Sequence, residues 1–304
     1  MNIQLLPLLR RKRFYVSLAF VGFLFFSYDF FKLRFPDGDF IKALATNAFH
    51  YKAHIHYYKT PKRSLRYVEI GNDSLPLIVF IHGAPSSSYF WDKMLKDSLL
   101  LKNAKLLAVD RPGYGYSGYG NPEISVKEQA RLISGILKKQ RVVHPKIIIH
   151  GSSYGGTVAA RLAMDYPDLV DGLLLQSASL APGEEKTYPI SYYTVHWAVE
   201  WLIPGSLKVA NHEKLSHRVQ LELMRPLWNH IICPTIVLQG GADKLIYPIN
   251  AEYAKRMLTK ARSVDLIMVK NSAHDLIWTR RELLVASLLK LLGKTHPDLY
   301  TFNR

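Results

Sequence analysis

One cysteine, Cys233, stands in a chain of 304 residues, so no intrachain disulfide can form and a disulfide-stapled scaffold is excluded. It precedes the apolar run Pro234 to Leu238 and reads as a small core residue. Acidic side chains are scarce beside basic ones, 24 against 40, which gives a net charge of +16. Such an excess favours anionic surfaces. No nucleic-acid-binding module accompanies it, and outside Arg10-Arg11-Lys12-Arg13 the basic residues are spread along the chain, so nucleic acid is not an expected partner. Charged residues make up 21% and hydrophobic ones 48%, which excludes a disordered chain.

The basic cluster leads into Phe14 to Phe31, FYVSLAFVGFLFFSYDFF, which only Asp29 interrupts. As a helix this run would rise about 27 Å, close to the roughly 30 Å of a bilayer's hydrocarbon core. Large aromatics at Phe25, Phe26, Tyr28 and Phe30 leave no small-residue cleavage site. The expectation is an uncleaved anchor over residues 1–34, with the body of the chain on the extracytoplasmic side because the cluster precedes the span. The alternatives are secretion after cleavage and a helix packed on the body.

Residues 35–62 show no clear period. From Leu65 onward short apolar runs alternate with helical patterns. Leu77 to Ile81, Leu106 to Val109, Lys146 to Ile149, Leu173 to Leu175, Thr235 to Leu238 and Asp265 to Val269 read as strands buried on both faces. Helices are expected near Phe90–Leu101, Ser125–Gln140 (with Ser125 as cap), Gly156–Met164, Asn250–Thr259 and Arg281–Leu292. The rhythm predicts a parallel sheet covered on both faces, one α/β domain over residues 35–304. An aromatic-rich interval at about 180–226 carries helical patterns alone and reads as an insertion.

The chemistry centres on Gly151-Ser152-Ser153-Tyr154-Gly155, which lies between a buried strand and a helix pattern. A hydroxyl attacks well only when a base takes its proton, and acyl transfer also needs backbone N–H groups aimed at the developing oxyanion. A serine in a tight strand-to-helix turn flanked by glycines meets the first geometric requirement. Ser152 occupies the position that points away from such a site.

With the segments His82-Gly83-Ala84-Pro85 and Asp110-Arg111-Pro112-Gly113-Tyr114-Gly115-Tyr116-Ser117, the chain resembles the α/β-hydrolase family over about Leu65 to Leu292. The resemblance implies a mostly parallel central sheet with helices on both faces and a short helical cap insertion. It implies backbone N–H donors for an oxyanion at Ala84 and Tyr154. It also implies an acid after the penultimate strand, where Gly240-Gly241-Ala242-Asp243 stands, and a base after the last strand, where Asn271-Ser272-Ala273-His274 stands. Ser153, Asp243 and His274 follow the family's order. Asp275 is a poorer candidate acid, because a sequence neighbour of His274 is badly placed to bond its ring. In the family, the Asp110–Ser117 loop is mainly structural.

Other features have plainer readings. Gly113-x-Gly115-x-x-Gly118 matches a dinucleotide fingerprint, but Gly120 and Pro122 hold loop where a helix should open. His54-x-His56 could face a metal from one side of a strand, yet no third ligand stands at motif spacing. No cofactor or metal is therefore expected. Asn72-Asp73-Ser74 is a formal glycosylation sequon of low weight.

A serine nucleophile argues against the epoxide-hydrolase and dehalogenase branches, which use aspartate. What remains is a small-molecule acyl substrate. Tyr188, Tyr192, Tyr193, Trp197 and Trp201 in the insertion point to a hydrophobic or lipid-like carboxylic ester. Aminopeptidase, C–C hydrolase and acyltransferase chemistry on the same triad, and a catalytically silent binding protein on the same fold, stay open.

Overall fold

The computed structural model describes residues 11–19, 22 and 32–294. After the helix α1 (Asp37–Leu44), strands β1 (His54–Lys59) and β2 (Ser64–Ile70) form an antiparallel pair. The chain continues through β3 (Leu77–Ile81), β4 (Lys105–Val109), α2 (Val126–Arg141), β5 (Ile147–Ser152), α3 (Tyr154–Asp165) and β6 (Gly172–Gln176). A helical excursion containing α4 (Gly205–Met224) precedes β7 (Thr235–Gly240), α5 (Ile249–Met257), β8 (Val264–Val269) and α6 (Arg281–Leu292). The sheet order is β1-β2-β4-β3-β5-β6-β7-β8, parallel from β4 to β8.

The strand sequences explain the layering. In β3, Leu77, Val79 and Ile81 enter one core with α2, α3 and α5. Ile78 and Phe80 point the other way, into a core with α1 and α6. A strand buried on both faces must be apolar throughout, because side chains alternate between faces. All five β3 residues are buried.

Several segments depart from the sequence reading. Residues 35–62 hold α1 and the edge strand β1, whose side chains are mostly exposed and so leave no apolar alternation. Strand β2 carries Arg66 and Glu69, which are buried through ion pairs: Arg66 with Asp110 at 3.2 Å, and Glu69 with Lys105 at 2.7 Å. The expected helix over Phe90–Leu101 is broken into Ser88–Trp91, Asp92–Leu95 and Ser98–Asn103. Asp97 causes the last break, since its carboxylate accepts from the N–H groups of Leu99 and Leu100 and starts a new helix.

The expected anchor, Phe14 to Phe31, lies largely outside the described residues. Residues 11–19 are helical and exposed. Among the described residues, no helix is long and apolar enough to cross a membrane. Between β6 and β7 the described chain forms the helical turns Ile190–Thr194 and Trp197–Glu200, then α4.

Candidate active site

Parallel strands bring their carboxyl ends to one edge of the sheet, and ligands of such sheets bind there. Ser153 follows β5, the His82–Pro85 segment follows β3, Asp243 lies three residues past β7, and His274 five past β8. All four therefore converge on one edge.

Ser153 has φ 55° and ψ −124°, a conformation costly for any residue with a side chain, on the order of 1–3 kcal/mol. The turn is held by its surroundings. Ser153 N–H donates to Gln176 O at 2.9 Å, and Ser153 O accepts from Gly156 at 2.9 Å and Ser179 at 3.3 Å. Gly155 has no substitute, because a Cβ there would sit 2.3 Å from Ile81 O. A Cβ on Gly83 would lie 3.0 Å from Ser153 Cβ, so the β3 loop abuts the serine directly. Ala84 is the next residue, joined to Pro85 by a cis peptide. Tyr154 is the first residue of α3, where an N–H has no intrahelical acceptor and is free for another oxygen. Ser152 ends β5 and is buried.

His274 Nδ1–H donates to Asp243 Oδ2 at 2.7 Å. The other carboxylate oxygen, Oδ1, accepts from Leu245 and Ile246 N–H, each at 2.9 Å. Burial alone would raise the Asp243 pKa. The hydrogen bond and charge of His274 and the two amides outweigh it and carry the carboxyl below its ordinary value. The two loops are tied together where Ala242 N–H donates to Ser272 O at 2.9 Å. Asp243 is buried and the imidazole of His274 partly exposed, as a fixed acceptor and an accessible base require. Asp275 instead leads into the helical turn Leu276–Thr279.

A second set of polar groups lies beneath this edge, and the sequence reading did not assign it to the site. Arg111 and Glu213 form an ion pair with both side chains fully buried. Arg111 Nε donates to His82 O at 2.8 Å and Nη2 to Gly83 O at 3.1 Å, so the guanidinium holds the backbone beside Ser153. Tyr114 Oη and Gln129 Nε2 donate to the Glu213 carboxylate at 2.7 and 2.8 Å. The guanidinium also stacks on the Tyr154 ring, 4.8 Å from its centroid, with His217 on the ring at 4.6 Å.

His82 donates from Nδ1 to Gly83 O at 2.7 Å and accepts at Nε2 from Arg111 N–H at 3.0 Å, which fixes the neutral ring. Burial, then the Arg111 charge, hold its pKa well below the ordinary value. A signal for Glu213 exists in the sequence. Val209, Glu213, His217 and Leu221 recur every four residues on α4, and all are buried.

Gly115 belongs to a different task from nucleotide binding. It has φ +51°, and a Cβ there would overlap the Asp110 carboxylate at 2.2 Å. That carboxylate accepts from Ser88 N–H at 2.6 Å and Tyr116 N–H at 3.0 Å, so the loop is a structural knot. His54 and His56 lie on the edge strand β1. Among the described residues, no group of three or more His, Cys, Asp or Glu could hold a metal ion.

Residues 76–211 match the family described as alpha/beta hydrolase fold. Over 120 residues the chain is 32% identical to Epoxide hydrolase 1 of Caenorhabditis elegans, covering 39% of this chain and 29% of that protein. The matches to that protein, to the Mesoderm-specific transcript protein of Mus musculus and to the haloalkane dehalogenase of Bradyrhizobium diazoefficiens span about a third of each. Among solved structures, the monoacylglycerol lipase of Paleococcus ferrophilus aligns with a TM-score of 0.62 at 19% identity, over 75% of this chain and 98% of that one. A membrane phospholipase A described as a bacterial virulence factor aligns with a TM-score of 0.63 at 18% identity, over 93% of this chain and 98% of that one. At such identities these likenesses concern the fold.

Proposed function

From the α/β-hydrolase fold and the match of residues 76–211 to that family, we propose that the chain is a serine hydrolase that cleaves a hydrophobic or lipid-like carboxylic ester through an acyl-enzyme on Ser153. The observation that carries the reading is the 2.7 Å bond between His274 and Asp243 at the sheet edge that also bears the strained Ser153 turn.

In this reading Ser153 Oγ attacks the ester carbonyl while His274 Nε2 takes its proton. The Asp243 carboxylate fixes the tautomer and stabilises the imidazolium. The oxyanion is received by the N–H groups of Ala84 and Tyr154. His274 returns the proton to the departing alcohol, then activates the water that releases the acid. Epoxide opening by the relative's name is a poorer match, since attack through a covalent alkyl ester needs a carboxylate where this chain has Ser153. Tyr192, Tyr193, Trp197 and Trp201 of the insertion turn outward instead of gathering into an acyl pocket, so they support an apolar ester only as a surface on which such a substrate would be met.

Attachment to a membrane through residues 14–31, with an extracytoplasmic body, belongs to the same proposal. Retention in the pellet after alkaline carbonate washing is the expected result, and full release would remove it. For the reaction, the test is turnover of p-nitrophenyl esters of rising chain length beside aminoacyl amides. Preference for medium or long acyl esters is expected, and selective turnover of amides would replace the ester reading with a peptidase. Ser153→Ala and His274→Ala should each lower turnover by roughly 10⁴ to 10⁶.

A further inference from the structure

The helical excursion turns an unusual set of side chains outward. Trp197 is 81% exposed, Trp201 75%, Tyr193 71%, Ile190 64%, Tyr192 63% and Leu202 57%. Scattered exposed apolar side chains are ordinary, but this many within thirteen consecutive positions forms a patch that marks an interaction surface. Its composition narrows the partner. Trp and Tyr are enriched at protein interfaces and also where one end of the ring meets hydrocarbon and the other meets water, so the neighbouring charges decide between the two.

The backbone carrying these rings is anchored from behind. Thr194 is hydrogen-bonded to Asn211, and Glu200 pairs with His212 and with Lys208 at 3.1 Å. The indole N–H of Trp201 donates to Ala198 O at 2.9 Å, so that ring can leave water without losing a partner. Glu200 is the only acid from Lys186 to Leu202, and its carboxylate pairs with Lys208, while Glu184 and Glu185 stand just before Lys186. Two cations also flank the patch on its ring-bearing side. Lys186 and Lys214 place their ammonium groups 5.4 and 5.8 Å from the Tyr188 ring centroid. The Lys186 ammonium also donates to Lys244 O at 3.4 Å, beside Asp243, so the patch borders the candidate active site.

We propose that this face, residues 188–202 with Lys186 and Lys214, docks on the surface of an anionic lipid bilayer, with the aromatic rings entering the headgroup boundary and the lysines meeting lipid phosphates and carboxylates. The net charge of +16 adds long-range attraction to the same partner. Docking in this way turns the active-site edge toward the membrane and is independent of the N-terminal segment and of the chemistry at Ser153.

The test uses the full chain with Cys233, its sole and buried cysteine, changed to Ala. An environment-sensitive fluorophore is attached through Trp197→Cys or, as a control, Val142→Cys. Val142 is exposed and precedes β5, at the opposite edge of the sheet from Ser153. On titration with phosphatidylcholine vesicles containing phosphatidylserine, the label at 197 should shift to the blue and saturate, while the label at 142 stays unchanged. Replacing Lys186 or Lys214 by Ala should raise the half-saturating lipid concentration roughly five-fold each. An unshifted label at 197 on a chain that sediments with the vesicles would overturn the proposal, because attachment would then lie elsewhere. Equal shifts at both positions would overturn it as well. A response undiminished on pure phosphatidylcholine would remove the anionic requirement. Running the series in Ser153→Ala keeps the outcome separate from that of the hydrolase reading.

Discussion

Arg111 and Glu213 show how a few side chains decide whether the edge beside Ser153 holds its shape. The guanidinium is fully buried, and four of its partners are the Glu213 carboxylate, Gln129 and the carbonyls of His82 and Gly83. Removing one member of such a pair leaves a charge without solvent or counter-charge, at a cost of about 3–5 kcal/mol. Glu213→Gln should therefore lose that much stability in urea-unfolding experiments, and Arg111→Met combined with Glu213→Leu should lose less than the sum of its two single changes, although Tyr114, Gln129 and the His82 and Gly83 carbonyls then lack their partners. Losses that simply add would mean that the two charges are not coupled.

Ser153, Asp243 and His274 could be named from the sequence because the resemblance to the α/β-hydrolase family implies a nucleophile, an acid and a base after strands that the apolar runs make recognisable. Glu213 escaped it because its partner, Arg111, is 102 residues away, and its position on the buried stripe of α4 is apparent only once Val209 and Leu221 are known to face inward.

The elements differ in how openly the chain declares them. Strands β3, β4 and β5 declare themselves through the apolar runs Leu77 to Ile81, Leu106 to Val109 and Ile147 to Ile149, because both faces are covered, and helix α6 was expected at Arg281–Leu292, where it lies. Strands β1 and β2 stayed hidden: one is an exposed edge, and the other buries Arg66 and Glu69 through partners distant in sequence. Helix α2 begins at the expected cap, where Ser125 accepts from Glu128 N–H at 3.1 Å. Glu128 does not complete the reciprocal box, since its carboxylate pairs with Arg131 at 2.6 Å instead. Ser125→Ala should thus cost about 1 kcal/mol, the value of a single capping bond. An unchanged urea midpoint would show that the cap contributes nothing measurable.

At the scale of the whole molecule, buried histidines tie stability to pH. Burial, followed by the charges of Lys214 and Arg111, holds His217 at about 3. Burial likewise holds His150 at about 3, against the opposing hydrogen bond of Gln176. An unfolded histidine titrates near 6.5. Between those values the unfolded chain binds the extra proton, so the stability is complete above about 6.5 and declines as the pH falls. Each histidine should account for a loss of about 2 kcal/mol between pH 7 and pH 5. His217→Gln should shrink the total drop by that amount. Stability that stays level across the interval would contradict the burial of both rings.

The assignment of Ser153 as nucleophile is tested most directly by fluorophosphonate labelling followed by peptide mass spectrometry. The expected result is a single phosphonyl adduct on the peptide carrying Ser153, absent from Ser153→Ala and slowed by orders of magnitude in His274→Ala. A folded chain that takes no label, or one that is labelled equally well without His274, would contradict the account.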